Sequence, residues 1–505
     1  MSEDLAEPST GRRPSPAAPD AGSAPHPRRW RILSVSLVVG FMALLDVSIV
    51  NVAIPSMQQA LDASPGTIQW VVSGYALTFG LTLVAGGRLG DAYGRRRMML
   101  IGLVGFVVTS AAVGLAPSIG LVVAARLLQG AMAGLLTPQN SGLIQQLFTG
   151  AERARAFGLF GFTVSVSSAA GPVLGGLIIA AAGAEQGWRY LFLVNIPIGV
   201  LGLVGVARLV PRRQTGPGRS GAGIDVVGAV LLGLAVMCLL YPVVSIESGQ
   251  RWPLVLLVGV PLFAYAFARW ERRLARAHRP PLLDLNLLRT LPGYVNGLVV
   301  GTLYFTGFTG LLLVLSVHLQ TALGLTPLAA GLLLMPFAVG SAVSAPLAGR
   351  FVPTIGRKLT VVALVVMMTG VALLAAFAAA RGRSDLAVVL VPVLLLTGLG
   401  GGAVVSPNIT LTLADVPPAM GGAAGGALQT GQRIGASIGA AVLMTVYQAV
   451  APGAGAGTAL RAALVTALAL LALALAMAVR SLRQDDGVMT VSTDPMAHPT
   501  DAAAH

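Results

Sequence analysis

The chain has one cysteine, Cys238, and one lysine, Lys358, in 505 residues. The cysteine lies within an apolar run, so an intrachain disulfide and a thiolate metal site are both excluded. Of the five histidines, His26, His498 and His505 belong to the terminal segments, and no metal is expected. Without a second lysine there is no Gly-rich phosphate loop ending in one, so ATP is not the expected energy source. No nucleophile stands with a matching histidine and acid, and neither enzyme activity nor a cofactor is expected. Charge is scarce as well, at 10% of residues, which no soluble domain resembles.

What fills the chain instead is apolar sequence, 55% of it, with a mean hydropathy of +0.81. A bilayer demands roughly 20 apolar residues per helical crossing. Runs of that kind fall at 32–54, 67–87, 98–116, 119–145, 155–181, 188–208, 224–245, 252–270, 293–318, 327–349, 359–380, 386–412, 421–449 and 460–480, which predicts an all-α polytopic membrane protein of 14 spans. Residues 1–30, rich in Pro, Ala and Ser, read as a disordered tail rather than a cleavable signal, and 484–505 as a second tail.

The net charge of +14 matters less than its placement. With the amino terminus inside, 26 of the 33 Lys and Arg fall on the inner side and five on the outer, and two, Arg126 and Arg433, lie within spans. That bias predicts a multi-pass protein of the cytoplasmic (inner) membrane with both termini in the cytoplasm. It also makes nucleic acid an unattractive partner; the expected partners are the lipid bilayer, protons and a small molecule.

Between the second and third runs stands Gly87-Arg88-Leu89-Gly90-Asp91-Ala92-Tyr93-Gly94-Arg95-Arg96-Arg97. Glycines suit a tight connection, and Asp91 is expected to pair with the arginines or to sit at the N-terminus of the next helix. A second copy, Gly349-Arg350-Phe351-Val352-Pro353-Thr354-Ile355-Gly356-Arg357-Lys358, follows 262 positions later, with Pro353 in place of the acid. Thr137-Pro138-Gln139-Asn140 is echoed loosely by Ser406-Pro407-Asn408. Two homologous halves follow, spans 1–6 within 31–210 and spans 9–14 within 291–483, with two inserted helices in 211–290.

The loop pattern G-x-L-x-D-x-x-G-R-[KR] resembles the signature of the major facilitator superfamily. The string Leu44-Leu45-Asp46-Val47-Ser48-Ile49-Val50-Asn51-Val52-Ala53-Ile54-Pro55 is similar to a motif of its fourteen-span drug:proton antiporter branch, of EmrB/QacA type. The resemblance implies the major facilitator fold, two six-helix bundles plus two extra central helices, with Gly87, Asp91, Gly94, Arg95 and Arg96 forming a conformational latch. Gly171-Pro172-Val173-Leu174-Gly175-Gly176 resembles the family's antiporter motif, which marks exporters; Gly171, Pro172, Gly175 and Gly176 are then a hinge, the competing reading being tight packing.

An acid within a span is a functional candidate by default. Asp46 has Met42, Ala43, Ile49 and Val50 as its helical neighbours, hence no partner on its own helix, and is expected to be a reversible proton carrier or else a structural acid bonded to another helix. Arg126 matches the family's R-x-x-x-G motif and is expected to pair with an acid until a proton or substrate displaces it, or else to bond helix carbonyls. Tyr75, Phe79, Gln129, Tyr304, Phe305, Phe308, Gln429 and Arg433 are candidates for the substrate pocket, the aromatic residues as a surface for flat apolar cations or as simple packing. Trp188, in Trp188-Arg189-Tyr190-Leu191-Phe192-Leu193-Val194-Asn195-Ile196-Pro197, is expected to anchor at the membrane interface. Asp225 reads as a helix cap. Span ten carries no acid, whereas some relatives that export divalent cations carry one there. The expected function is proton-coupled efflux of amphipathic, lipophilic or cationic drugs by a monomer; the alternatives are a dedicated exporter of one endogenous metabolite and a non-transporting sensor or scaffold.

Overall fold

The computed structural model describes residues 26–212, 225–247, 252–277, 279, 281–377 and 383–491, and among them there is no β-strand. The first half holds α1 (Arg29–Ala60), α2 (Pro65–Tyr93), α3 (Arg95–Gly114), α4 (Ile119–Leu147), α5 (Gly150–Ala182), α6 (Ala184–Leu193) and α7 (Asn195–Leu209). Then come α8 (Val226–Glu247), α9 (Gly259–Arg276) and the short α10 (Leu285–Thr290). The second half holds α11 (Pro292–Thr321), α12 (Pro327–Ile355), α13 (Arg357–Phe377), α14 (Arg383–Thr412), α15 (Gly421–Ala454) and α16 (Ala456–Val491). These supply 14 helical segments long and apolar enough to cross a membrane, α6 and α7 together making the sixth and a 3₁₀ turn with α9 the eighth.

The repeat extends into the caps. Ser64 precedes Pro65 at the start of α2, and Thr326 precedes Pro327 at the start of α12; each hydroxyl accepts from the backbone N–H three residues on, Thr67 and Ala329 respectively. Proline fits there because its missing N–H would be unpaired in a first turn in any case. At the far end of both helices a glycine takes positive φ, Gly94 at 95° and Gly356 at 59°, and so reverses the chain into α3 and α13.

The sixth span is broken where a single helix was expected. Pro197 has no N–H to donate back to Leu193 and its ring crowds that carbonyl, so α6 ends at Leu193 and α7 begins at Asn195. The break delivers the Asn195 side chain into the core of the first half, 1% exposed.

Helices α1 to α7 pack on one another, as do α11 to α16, and the seam between them runs along α5 against α12 and α14 and along α15 against α2 and α4. Helix α8 lies across that seam, packed on both α2 and α15 and backed by α9. Asp225 caps α8 as expected: its Oδ1 accepts from Gly228 N at 2.8 Å and from Trp270 Nε1 at 2.8 Å, tying α8 to α9.

Two expectations are corrected. Trp188 is fully buried rather than interfacial, with the Arg189 guanidinium 4.4 Å above its ring and donating to the carbonyls of Gly114 and Ala116. The indole therefore anchors α6 to the end of α3 inside the protein. Helix α16 runs to Val491, past the start of the expected 484–505 tail, as a continuation of the long helix begun at Ala456, since each added residue of a nucleated helix closes one more backbone hydrogen bond. Residues 1–25 and 492–505 of the two expected tails lie outside the described residues.

Candidate functional site

Asp46 sits in the middle of α1, fully buried, and its partners come from other helices. Arg126 of α4 pairs with Oδ2 at 2.5 Å, while Oδ1 accepts from Gln129 Nε2 at 3.1 Å and from Asn195 Nδ2 at 2.9 Å. The arginine is itself surrounded: it donates to the Val71 carbonyl of α2 at 2.9 Å and to Gln129 Oε1 at 2.9 Å, and its guanidinium carbon lies 4.1 Å from the Tyr75 ring centroid. Tyr75 in turn donates to the Ala43 carbonyl at 3.2 Å. Arg126 thus both pairs with an acid and bonds a helix carbonyl. Asp46 lacks a partner only within α1; α4 supplies one.

Beyond the carboxylate a polar chain continues into α3. Asn195 Nδ2 also donates to Ser110 Oγ at 3.0 Å, and Ser110 donates to the Phe192 carbonyl at 2.9 Å. Asn195 Oδ1 is buried and has no hydrogen-bond partner in the structure. The same amide presents its Nδ2 to Asp46, so rotating it would offer an acceptor to a protonated carboxyl, which is a donor. Asn195 and Ser110 were not among the candidates read from sequence; the available signal was an Asn two residues before a span-breaking proline.

The expected latch residues gather at one end of the bundle, and their partners lie across the seam. Asp91 accepts from Arg95 Nη2 at 2.9 Å on its own side, then from the backbone N–H groups of Ala423 at 2.9 Å and Gly422 at 3.2 Å in the first turn of α15. No side chain of α15 caps that turn, so a carboxylate from the other half does it, favoured by the helix dipole. Asp91 thus sits at a helix N-terminus as expected, but that of α15 rather than of α3. Arg95 reaches across as well, donating to the Pro418 carbonyl at 3.0 Å, while Arg96 turns back to the Ala207 carbonyl of α7. Gly87 touches Gly422 so closely that a Cβ would collide with the Gly422 carbonyl. Gln145 to the Leu413 carbonyl at 2.6 Å and Arg153 to that of Ala414 at 3.2 Å add to the closure.

Charge-assisted hydrogen bonds of this sort contribute about 1.5–3 kcal/mol each. Asp91→Asn keeps one acceptor and loses the charge, so the closed-to-open ratio is expected to fall by about tenfold or more. Spin labels at Tyr93 and Ile355, both exposed at this end, read the change as longer distances in a Cys238→Ala background. An unchanged distribution would mean that Asp91 does not hold the seam.

The antiporter-motif residues stand where α5 meets two partners. Gly171 and Gly175 lie against Ser48, Ile49 and Val52 of α1, while Pro172 and Gly176 approach Gly331 and Leu328 of α12. Helix α5 runs unbroken through Pro172.

The pocket candidates divide. Tyr75 and Gln129 belong to the Asp46 cluster. Phe79 lies beneath the Arg433 guanidinium, 4.5 Å from its centroid, and Gln429 donates to Ser141 across the seam at 3.1 Å. Tyr304, Phe305 and Phe308 form a separate group in the second half, with Tyr304 and Phe308 stacked at 5.5 Å and Phe308 stacked at 5.3 Å on Phe337, a residue not singled out from sequence. Tyr304 is buried and donates to the Gly401 carbonyl at 2.9 Å, whereas Phe305 and Phe308 are half-buried. No ring contact joins this group to Tyr75 and Phe79 among the described residues. Helix α15, packed on both α2 and α11, lies between them.

Residues 36–440 match the sequence pattern described as "Major Facilitator Superfamily". The chain is 37% identical over 414 residues, 81% of its length and 71% of the relative's, to the "Probable actinorhodin transporter" of Streptomyces coelicolor. It is 37% identical over 420 residues, 81% of its length and 80% of the relative's, to the "Puromycin resistance protein pur8" of Streptomyces alboniger. Among solved structures, the proton:xylose symporter XylE superposes with a TM-score of 0.64 at 16% identity, covering 90% of this chain and 95% of that one, a likeness of fold.

Proposed function

The chain belongs to the Major Facilitator Superfamily, a multi-pass membrane protein by its spans, and on that premise we propose that it is a proton-coupled efflux transporter exporting amphipathic drugs or antibiotics across the cytoplasmic membrane. The observation that carries this reading is the Asp46–Arg126 pair, fully buried at the middle of the first half and joined by Gln129 and Asn195. A carboxylate ringed by donors, with an amide beside it that offers an acceptor on rotation, has the parts for both the charged and the neutral form. Its exchange of Arg126 for a proton is the coupling step.

With the basic end in the cytoplasm, the state described is the one shut on the cytoplasmic side, by Asp91 on α15. Protons then reach Asp46 from outside; opening of the latch admits substrate from the cytoplasm or inner leaflet, and the two compete for occupancy as the halves rock. The Gly171–Gly176 segment, wedged between α1 and α12, supports export as the direction. One chain holds both halves, so a monomer suffices, with the proton gradient as sole energy source. A charge moved across 100 mV supplies about 2.3 kcal/mol and one pH unit about 1.4 kcal/mol. A narrower reading, an exporter dedicated to one metabolite, is favoured by relatives whose names each carry a single compound.

The test is proton release from energised inverted vesicles, followed with a pH-sensitive dye as puromycin and a panel of planar aromatic antibiotics are added. Compound-evoked release that depends on this protein is expected. Export of a radiolabelled compound with no accompanying release would remove proton coupling.

A further inference from the structure

Arg433 lies in the middle of α15, at the seam, with its guanidinium over the Phe79 ring and Tyr75 next to Phe79 at 5.9 Å between centroids. It is half-buried rather than sealed in the core. The ion pairs among the described residues are Arg29–Glu152, Arg95–Asp91 and Arg126–Asp46, and none includes it. The sequence offers no acid to fill the gap, because Asp46 is the sole carboxylate away from the ends of a span, and Arg126 already holds it. Toward the middle of α15 the helices packed on it add no negative charge either: α11 has no acid, α4 contributes only Arg126, and the acids of α2, α8 and α16 (Asp91, Glu247, Asp485 and Asp486) stand near helix ends. The middle of the protein thus carries one uncompensated positive charge, over the buried Phe79 ring and next to the half-buried Gln432.

A guanidinium left unpaired at membrane depth marks a site where an anion is to be bound, and its planar fork fits a carboxylate or an ionised phenol. A cation entering the same space meets a like charge in a medium that screens it poorly. We infer that the exported molecule is an amphipathic acid whose ionised group pairs with Arg433, the buried Phe79 ring staying beneath the guanidinium. This reverses the sequence expectation of a cationic drug, and it rests on the efflux reading. The charge balance also changes. One proton entering while one anion leaves moves two charges in the same sense, so export should accelerate with an inside-negative potential, whereas exchange of a cation for a proton would not respond.

The test uses three probes on one ring system, anthraquinone-2-carboxylate, its uncharged carboxamide and the cation 2-(aminomethyl)anthraquinone, titrated calorimetrically into the purified full chain. The carboxylate is expected to bind about tenfold or more tighter than either of the others. Arg433→Gln should bring the three within about twofold, and Arg433→Lys should keep most of the preference. Equal or tighter binding of the amine, an unchanged preference in Arg433→Gln, or no binding of the carboxylate would overturn the inference. Transport in proteoliposomes under a potassium-diffusion potential separates it from the premise. Anion preference without coupled transport leaves the site and removes the exporter, while coupled export of the amine without anion preference leaves the exporter and removes the anion site.

Discussion

Asp46→Asn is expected to end uphill export while leaving the protein folded. Asparagine has the same shape, and its Oδ1 still accepts from Arg126 or from Asn195, so the core around α1, α4 and α7 keeps its packing and the variant should be made at normal levels. What it cannot do is take up and release a proton. A coupled exporter driven by one charge moving down 100 mV can hold a concentration ratio of about fiftyfold beyond the compound's own equilibrium distribution, the equivalent of about 2.3 kcal/mol; in the variant that excess should disappear, because coupling through this group has gone. Compound-evoked proton release from inverted vesicles should vanish together with it. Downhill exchange of compound between the two sides should survive, which distinguishes lost coupling from lost binding. Uphill export that persists in Asp46→Asn would place the proton elsewhere.

Arg126→Leu should be the most destabilising single change within the first half. It leaves a buried carboxylate with two neutral donors and no counter-charge, and removing one member of a buried pair costs about 3–5 kcal/mol. Adding Asp46→Asn to it removes the stranded charge, so the double variant should regain most of that loss, with a coupling energy in the cycle above about 2 kcal/mol. Thermal unfolding of the wild type, both single variants and the double variant in one detergent gives the four corners. Neither variant carrying Arg126→Leu should couple protons, so recovery of stability without recovery of transport separates the structural part of the pair from its function. Additive effects, with Arg126→Leu costing less than about 1 kcal/mol, would mean that the arginine packs and bonds Val71 without depending on Asp46.

The contrast between Asp46 and Asn195 shows what was legible in the chain. An acid inside an apolar run stands out because so few charges enter a span at all, and Asp46, Arg126 and Arg433 were each visible on that ground. Asn195 is neutral, sits among residues that resemble an interfacial motif, and becomes part of the site only because Pro197 breaks the sixth span and turns its side chain toward α1. Gln129 was visible as polar but was placed in the substrate pocket; its contact with Asp46 depends on how α4 is rotated against α1. The aromatic candidates were read as one surface. They are two, because α15 comes between α2 and α11, and that ordering of helices is invisible in their sequences.

The number of spans, the internal repeat and the residues of the loop between the second and third spans were legible in the sequence alone. Each is a local matter: a bilayer sets how long an apolar run must be, and glycine and proline act on the backbone where they stand. The tertiary structure decided the partners. Asp91 holds amides of α15 from 331 and 332 residues away, and Asp46 meets Arg126 across 80, Gln129 across 83 and Asn195 across 149. Such pairings depend on which helix faces pack together, and in a chain whose spans are nearly uniform in apolar character no single span encodes that choice; it emerges only when small residues such as Gly87 and Gly422 let particular backbones approach.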